Sequence, residues 1–165
     1  MGFMFPKAMY PLAEMLKATD YNVKMLSWQV NYRNYILKDI RNTVKTKKNQ
    51  RIVIIGHSMG GNTTTELTQL LAKEGIILHY AAVIDAPMPK TIGKTTLVVD
   101  NFYQFNDFRN PILKADDPSV TVLKQYNFRR KDDKTGIYVE PEDHIGLGNH
   151  PFVISTIVDQ IKKLS

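Results

Sequence analysis

The 165-residue chain contains no cysteine. A disulfide framework, a thiolate nucleophile and a Cys-ligated zinc site are therefore excluded. Long apolar runs are missing too: none approaches the ~18 residues of a membrane-spanning helix. The 9 glycines and 8 prolines are too few for a collagen-like or low-complexity chain. No basic stretch precedes an apolar core in Met1-Gly2-Phe3-Met4-Phe5-Pro6-Lys7, so no secretory leader is expected there. Pro6 stands where a myristoylation signal needs Ser or Thr. These absences lead to the expectation of a soluble cytoplasmic protein.

Apolar residues make up 43% and charged residues 23%, a globular mix that rules out a disordered chain. The length suits a single domain, 1–165, able to bury a core without covalent staples. Acidic side chains are in the minority, 16 against 22 basic ones, for a net charge of +6. The excess is local: Lys45, Lys47, Lys48 and Arg51; Arg129, Arg130, Lys131 and Lys134; Lys162 and Lys163. Such clusters read first as solvated helix ends and loops, and second as attraction for an anionic substrate or surface. Aromatics do not interleave with them and no zinc-finger or RNP pattern occurs, so no nucleic-acid partner is expected. Nothing in the sequence bears on oligomeric state.

Apolar periodicity gives the order of elements. Leu12, Met15 and Leu16 share one helical face within residues 8–18. Val23–Trp28 reads as a strand. Ile36, Ile40 and Val44 mark an amphipathic helix over 32–48. Ile52-Val53-Ile54-Ile55 is a β-branched run suited to a strand buried on both faces. A helix over 59–74 follows, with Leu67, Leu70 and Leu71 inside and Gly75 as its stop. Ile76–Ile84, a segment from Thr95 and Val120–Tyr126 read as further strands. Pro151 opens a last helix whose apolar face carries Val153, Ile154, Ile157, Val158 and Ile161. Strands alternating with helices mean an α/β fold with a mainly parallel sheet, whose chemistry belongs at the carboxyl ends of the strands.

One such end is distinctive. Gly56-His57-Ser58-Met59-Gly60-Gly61 carries Gly-x-Ser-x-Gly between a buried strand and a helix. A turn this sharp holds its central residue in a strained conformation and lifts Ser58 Oγ clear of the sheet. Gly56 and Gly60 are expected to leave room for the backbone. The helix begins at once, so its free amides face any developing oxyanion, the N–H of Met59 first. A phosphate loop is the competing reading, since Gly56 and Gly61 have its spacing and Thr63 its hydroxyl. Asn62 stands where its lysine belongs, which argues against a nucleotide site.

The Gly-His-Ser-Met-Gly-Gly stretch resembles the nucleophile elbow of the α/β-hydrolases, above all small lipase-, esterase- or thioesterase-like members. Tyr10-Pro11-Leu12-Ala13, Val83-Ile84-Asp85-Ala86-Pro87 and Asn101-Phe102-Tyr103-Gln104 look like further landmarks of that superfamily. The resemblance runs from about residue 8 to the end. It implies a minimal α/β-hydrolase fold lacking the N-terminal strands, and a serine hydrolase of carboxylic esters or thioesters that needs no cofactor or metal.

Its order of nucleophile, acid and base assigns partners to Ser58. Of the four histidines, His144 sits in a loop before the last helix, where the superfamily places its base. His57 is read as turn support, His79 as a core or edge residue, and His150 as a helix cap or surface group. Asp85, at a strand end and followed by Pro87, is the preferred acid, with Asp107 and then Asp100 as alternatives. Asp143, beside His144, is badly placed to reach its ring. A second oxyanion donor is expected near Phe3, in the Gly2–Phe5 stretch. A metal site of His144, His150 and Asp143 or Glu142 has no helix-based spacing to support it. Phe102, Tyr103, Phe105 and Phe108 could line an acyl pocket, with sheet packing the alternative for most. Residues 86–95 read as a small apolar flap. A non-catalytic binding domain and an acyltransferase with the same triad are the alternative functions.

Overall fold

A computed structural model describes residues 9–19, 21–26, 32–47, 49–104, 110–129 and 136–164. The β-branched run forms β1, Val53–His57, and the elbow glycines pass directly into a helix. Before β1 lie α1, Tyr10–Lys17, and α2, Tyr32–Thr46. After it come α3, Met59–Lys73, then β2, Leu78–Ile84, β3, Thr96–Tyr103, β4, Val122–Asn127, and the two-residue β5, Ile137–Tyr138. A 3-10 turn over Gly146–Asn149 leads into α4, Pro151–Lys162. The strands form one sheet in the order β1-β2-β3-β4-β5, every neighbouring pair parallel. No described helix is long and apolar enough to cross a membrane.

Local chemistry explains the boundaries. Gly75 follows α3 with φ +67°, the left-handed stop that a β-carbon would resist. Pro151 opens α4, where a missing N–H costs nothing, and His150 Nδ1 accepts from the Phe152 N–H to cap the same end. Residues 23–26 form no strand, in contrast to the expectation for Val23–Trp28; residues 27 and 28 lie outside the described set. The apolar letters there serve packing instead, and Val23 lies against the core.

The sheet buries both faces, and β2 divides its side chains between them. Tyr80, Ala82 and Ile84 point toward α1 and α4, where Leu12, Leu16, Val153, Ile157 and Ile161 meet Phe102, Tyr126 and Phe128. Ala81 and Val83 point the other way, toward Leu67 and Leu71 of α3 and Leu37 and Ile40 of α2. Each fully buried Leu, Ile, Val or Phe among them contributes about 1.5–3 kcal/mol. Phe102 and Tyr103 are wholly buried, in line with sheet packing rather than an acyl pocket. Phe105 and Phe108 lie outside the described residues.

The polar side of α3 does a second job. Asn62, Thr65 and Thr68, spaced by three, accept from the backbone N–H groups of Met88, Lys90 and Gly93 at 2.9 Å each. Ile92 is fully buried and bridges to Ala115. Residues 86–95 are thus strapped to α3 and do not form the small apolar flap expected of them. A β-carbon on Gly93 would lie 2.2 Å from the Thr68 carbonyl oxygen, so the strap depends on that glycine.

Asp100 is a buried acid inside β3, with no exposed surface. Tyr80 donates its hydroxyl to Asp100 Oδ2 at 2.9 Å, and Oδ1 has no partner among the described residues. Burial raises the Asp100 carboxyl above its ordinary range, while the Tyr80 hydrogen bond opposes the rise. A carboxyl raised by folding stabilises the fold below its unfolded value, and that contribution is lost as pH rises through the folded one. Asp100→Asn removes this dependence. The melting temperature of the variant minus that of the wild type should climb between pH 4 and pH 8. A difference that is flat or falls with pH would contradict the assignment.

Candidate active site

Strand register brings the first two residues together. His57, the last residue of β1, pairs with Ile84, the last of β2, so Ser58 and Asp85 leave the sheet side by side. Both have left-handed backbones, with φ 57° at Ser58 and 45° at Asp85. Such conformations cost a non-glycine residue about 1–3 kcal/mol each and persist only where the surroundings hold them. The sheet supplies the restraint: the Ser58 N–H donates to the Ile84 carbonyl at 2.8 Å and the Asp85 N–H to the Phe102 carbonyl at 2.7 Å.

The elbow is tight, with an asymmetry between its glycines. A β-carbon on Gly56 would lie 2.1 Å from the Gly60 carbonyl oxygen and 2.4 Å from Thr64 Oγ1. One on Gly61 would lie 2.8 Å from the Ala86 β-carbon. One on Gly60 would meet nothing within 4 Å. Gly56 and Gly61 therefore make the close approaches, and Gly60 contributes its carbonyl rather than its missing side chain. Met59 begins α3, so its N–H is a first-turn amide without an acceptor inside the helix. Phe3 lies outside the described residues, as does Asp107.

The third residue arrives from the far end of the chain. Asp143 Oδ1 accepts from the N–H groups of Ile145 at 2.9 Å and Gly146 at 2.6 Å, folding residues 143–146 into a turn. His144 projects from that turn. Its Nε2 lies 3.0 Å from Ser58 Oγ, and its Nδ1 lies 2.6 Å from Asp85 Oδ2. An ionised carboxylate only accepts, so Nδ1 carries the proton and Nε2 is free to accept from the serine. The other carboxylate oxygen, Asp85 Oδ1, accepts from the Gln104 N–H at 3.2 Å. The Asp85 side chain is 15% exposed and that of His144 46%, so the carboxylate is shielded while the imidazole opens to solvent.

His57 has a more defined place than turn support in general. Its Nε2–H donates to the His144 carbonyl at 2.6 Å, tying the loop that carries His144 to the end of β1. The two imidazole rings lie 4.8 Å apart. Burial holds the His57 pKa below the usual histidine value, while its hydrogen bond to the His144 carbonyl opposes that shift. His79 Nδ1 accepts from the Ile52 N–H at 3.2 Å and anchors the start of β1 to β2. Neither His57 nor Gln104 was singled out from sequence as a site residue. The position of His57 inside the elbow was the available signal, whereas Gln104 offered none beyond its landmark stretch.

Two cavities meet at Ser58 and His144. The larger, about 1320 Å³, runs between α1, α2 and the edge strand β1. The smaller, about 460 Å³, lies between Met59, Pro87, Gln104 and Pro111. His150 is committed to capping α4 and His144 to Asp85 and Ser58. Among the described residues no group of three or more His, Asp or Glu is arranged to hold a metal.

A parallel sheet between helices, with a serine turn leaving a strand's carboxyl end, places the chain among the hydrolase-like α/β proteins. More narrowly, it belongs to the family of the PGAP1-like alpha/beta domain, whose model matches residues 14–111. It is also 28% identical over 112 residues to an uncharacterized protein of Caenorhabditis elegans. That match covers 63% of this chain and 30% of the relative, so the chain corresponds to less than a third of the relative's length. No solved structure matches the chain.

Proposed function

We propose that the protein is a serine hydrolase of carboxylic esters or thioesters, with Ser58 as nucleophile, His144 as base and Asp85 as the acid that orients it. The observation that carries this reading is the continuous contact from Asp85 Oδ2 through His144 to Ser58 Oγ, at 2.6 and 3.0 Å. The two core faces share one sheet, which supports reading residues 1–165 as a single α/β-hydrolase-like domain.

In the first step Ser58 Oγ bonds to the substrate carbonyl carbon, and its proton passes to His144 Nε2. The carbonyl π pair moves onto oxygen, where the Met59 N–H and the positive end of α3 stabilise it. Asp85 stabilises the imidazolium through Nδ1–H and is not itself protonated. As the oxyanion collapses, the bond to the leaving oxygen or sulfur breaks and His144 returns its proton to that atom. Water then repeats the sequence on the acyl-serine, which releases the acid and restores Ser58. The amide near Phe3 is the proposed second oxyanion donor.

An active-site-directed fluorophosphonate tests the assignment. It should label the folded protein at one position, found by peptide mapping at Ser58, and Ser58→Ala should abolish the label. Equal labelling of wild type and variant would exclude Ser58 as the nucleophile.

A further inference from the structure

Residues 143–146 present His144 to the end of the sheet, and most of their hydrogen bonds are internal. Asp143 Oδ1 accepts from the N–H groups of Ile145 and Gly146, and Glu142 Oε1 from that of Asp143. The Asp143 carbonyl accepts from the Leu147 N–H, and the Ile145 carbonyl from the Gly148 N–H. These bonds all stay within residues 142–148. They shape the turn without locating it against the rest of the protein. Leu147, fully buried, fixes only its exit. Among the described residues, the hydrogen bonds that leave the turn all belong to His144. Its ring meets Ser58 and Asp85, and its main-chain carbonyl meets His57.

The geometry of β1 explains why position 57 makes the main-chain contact. Side chains alternate along a strand, so His57 shares a face with Val53 and Ile55. Those two pack in the cluster that holds α1 and α4, and Leu147 lies in the same cluster. The turn therefore returns to the sheet on the face that His57 occupies. One residue later Ser58 leaves the strand, so His57 is the last β1 side chain on that face. Its own backbone is paired with Ile84 inside the sheet and cannot follow the turn.

The two ends of His144 are thus held separately. Asp85 fixes the ring at Nδ1, and His57 fixes the main chain. Packing restrains the ring little, since its side chain is 46% exposed. A ring held only at Nδ1 can pivot about that contact, which swings Nε2 away from Ser58 Oγ. Misplacing a reacting group by about 1 Å can cost about 100-fold in rate.

We propose that His57 is a positioning residue for the hydrolysis, which holds His144 Nε2 at its distance from Ser58 by anchoring the His144 main chain. This rests on the serine-hydrolase reading and extends it to a residue that touches neither the substrate nor the transferred proton. The role requires an N–H donor at the Nε2 position and no charge. Glutamine can supply that donor, because its amide nitrogen and a histidine Nε2 stand at nearly the same reach from the β-carbon. Methionine has similar length and no donor.

Initial rates with a p-nitrophenyl ester test this on the whole protein, with circular dichroism confirming that each variant is folded. In His57→Met, kcat should fall about tenfold or more while KM stays within about twofold. His57→Gln should recover most of that kcat. The proton between His144 Nδ1 and Asp85 gives a far-downfield nuclear magnetic resonance line. That line should persist in wild type and His57→Gln and broaden in His57→Met, as the freed ring exchanges with water. A merely structural role for His57 would not move it. The wild type alone supplies a further test, since the ring-nitrogen shifts of His57 should show Nε2 protonated. An unprotonated Nε2 would overturn the proposal even if no variant folds. So would a His57→Met protein with the wild-type rate and an intact downfield line, or a His57→Gln protein as slow as His57→Met. Each of these results leaves the triad standing. A wild type that hydrolyses no p-nitrophenyl ester and takes no fluorophosphonate would overturn the hydrolase reading and the role of His57 with it.

Discussion

His144→Ala should lower kcat/KM for a p-nitrophenyl ester by about 10⁵-fold or more, and Asp85→Asn by about 10⁴-fold, with both proteins folded. The two losses have different physical origins. Without His144 the Ser58 proton has no acceptor within reach, and its contact at 3.0 Å is removed outright. Asn at position 85 keeps the shape but can donate to Nδ1, which favours the tautomer with its proton on Nε2. That proton then faces Ser58 Oγ, where an acceptor is required. Combining Ser58→Ala with His144→Ala should cost little more than either alone, since the residues act as one unit. Separable, additive losses would contradict the proposed relay. Initial rates with a p-nitrophenyl ester give the answer, with circular dichroism confirming that each variant is folded.

The second large effect is on stability. Gly56→Ala places a β-carbon 2.1 Å from the Gly60 carbonyl oxygen, a backbone atom that cannot rotate away. It also falls 2.4 Å from Thr64 Oγ1, whose hydroxyl donates to that same carbonyl at 2.9 Å. The cost should be about 3 kcal/mol or more, which lowers the melting temperature by about 10 °C in a chain of this size. Gly60→Ala makes no contact within 4 Å and should change the melting temperature by about 2 °C or less. The pair therefore separates two glycines that look equivalent in the motif. Thermal unfolding followed by circular dichroism distinguishes them, and equal shifts would show that elbow packing does not set the requirement.

Much of the fold was legible because it is written locally. Ile52-Val53-Ile54-Ile55 with its glycine turn, the leucine stripe of α3 and Pro151 each specify an element through neighbouring residues alone. Val23–Trp28 misled because apolar letters without a partner strand carry the same pattern as a strand. Residues 86–95 misled in the opposite direction. Their prolines and apolar letters suggested a small flap, but the acceptors that hold their backbone N–H groups belong to α3, more than twenty residues earlier.

The site divides along the same line. Composition excluded thiol chemistry, and Gly-x-Ser-x-Gly between strand and helix singled out Ser58, because a strained turn is a matter of adjacent residues. Asp85 and His144 came from the order of residues in the superfamily, since neither carries a local mark of function. Parallel register sets Ser58 beside Asp85, and the Asp143 turn together with the His57 hydrogen bond brings His144 to both. Gln104 became visible only through its backbone N–H on Asp85 Oδ1. Local sequence was enough for the α/β class, its mainly parallel sheet and the serine turn between β1 and α3. The tertiary structure decided which distant side chains meet Ser58, because those distances depend on strand register and loop anchoring across 86 residues of chain.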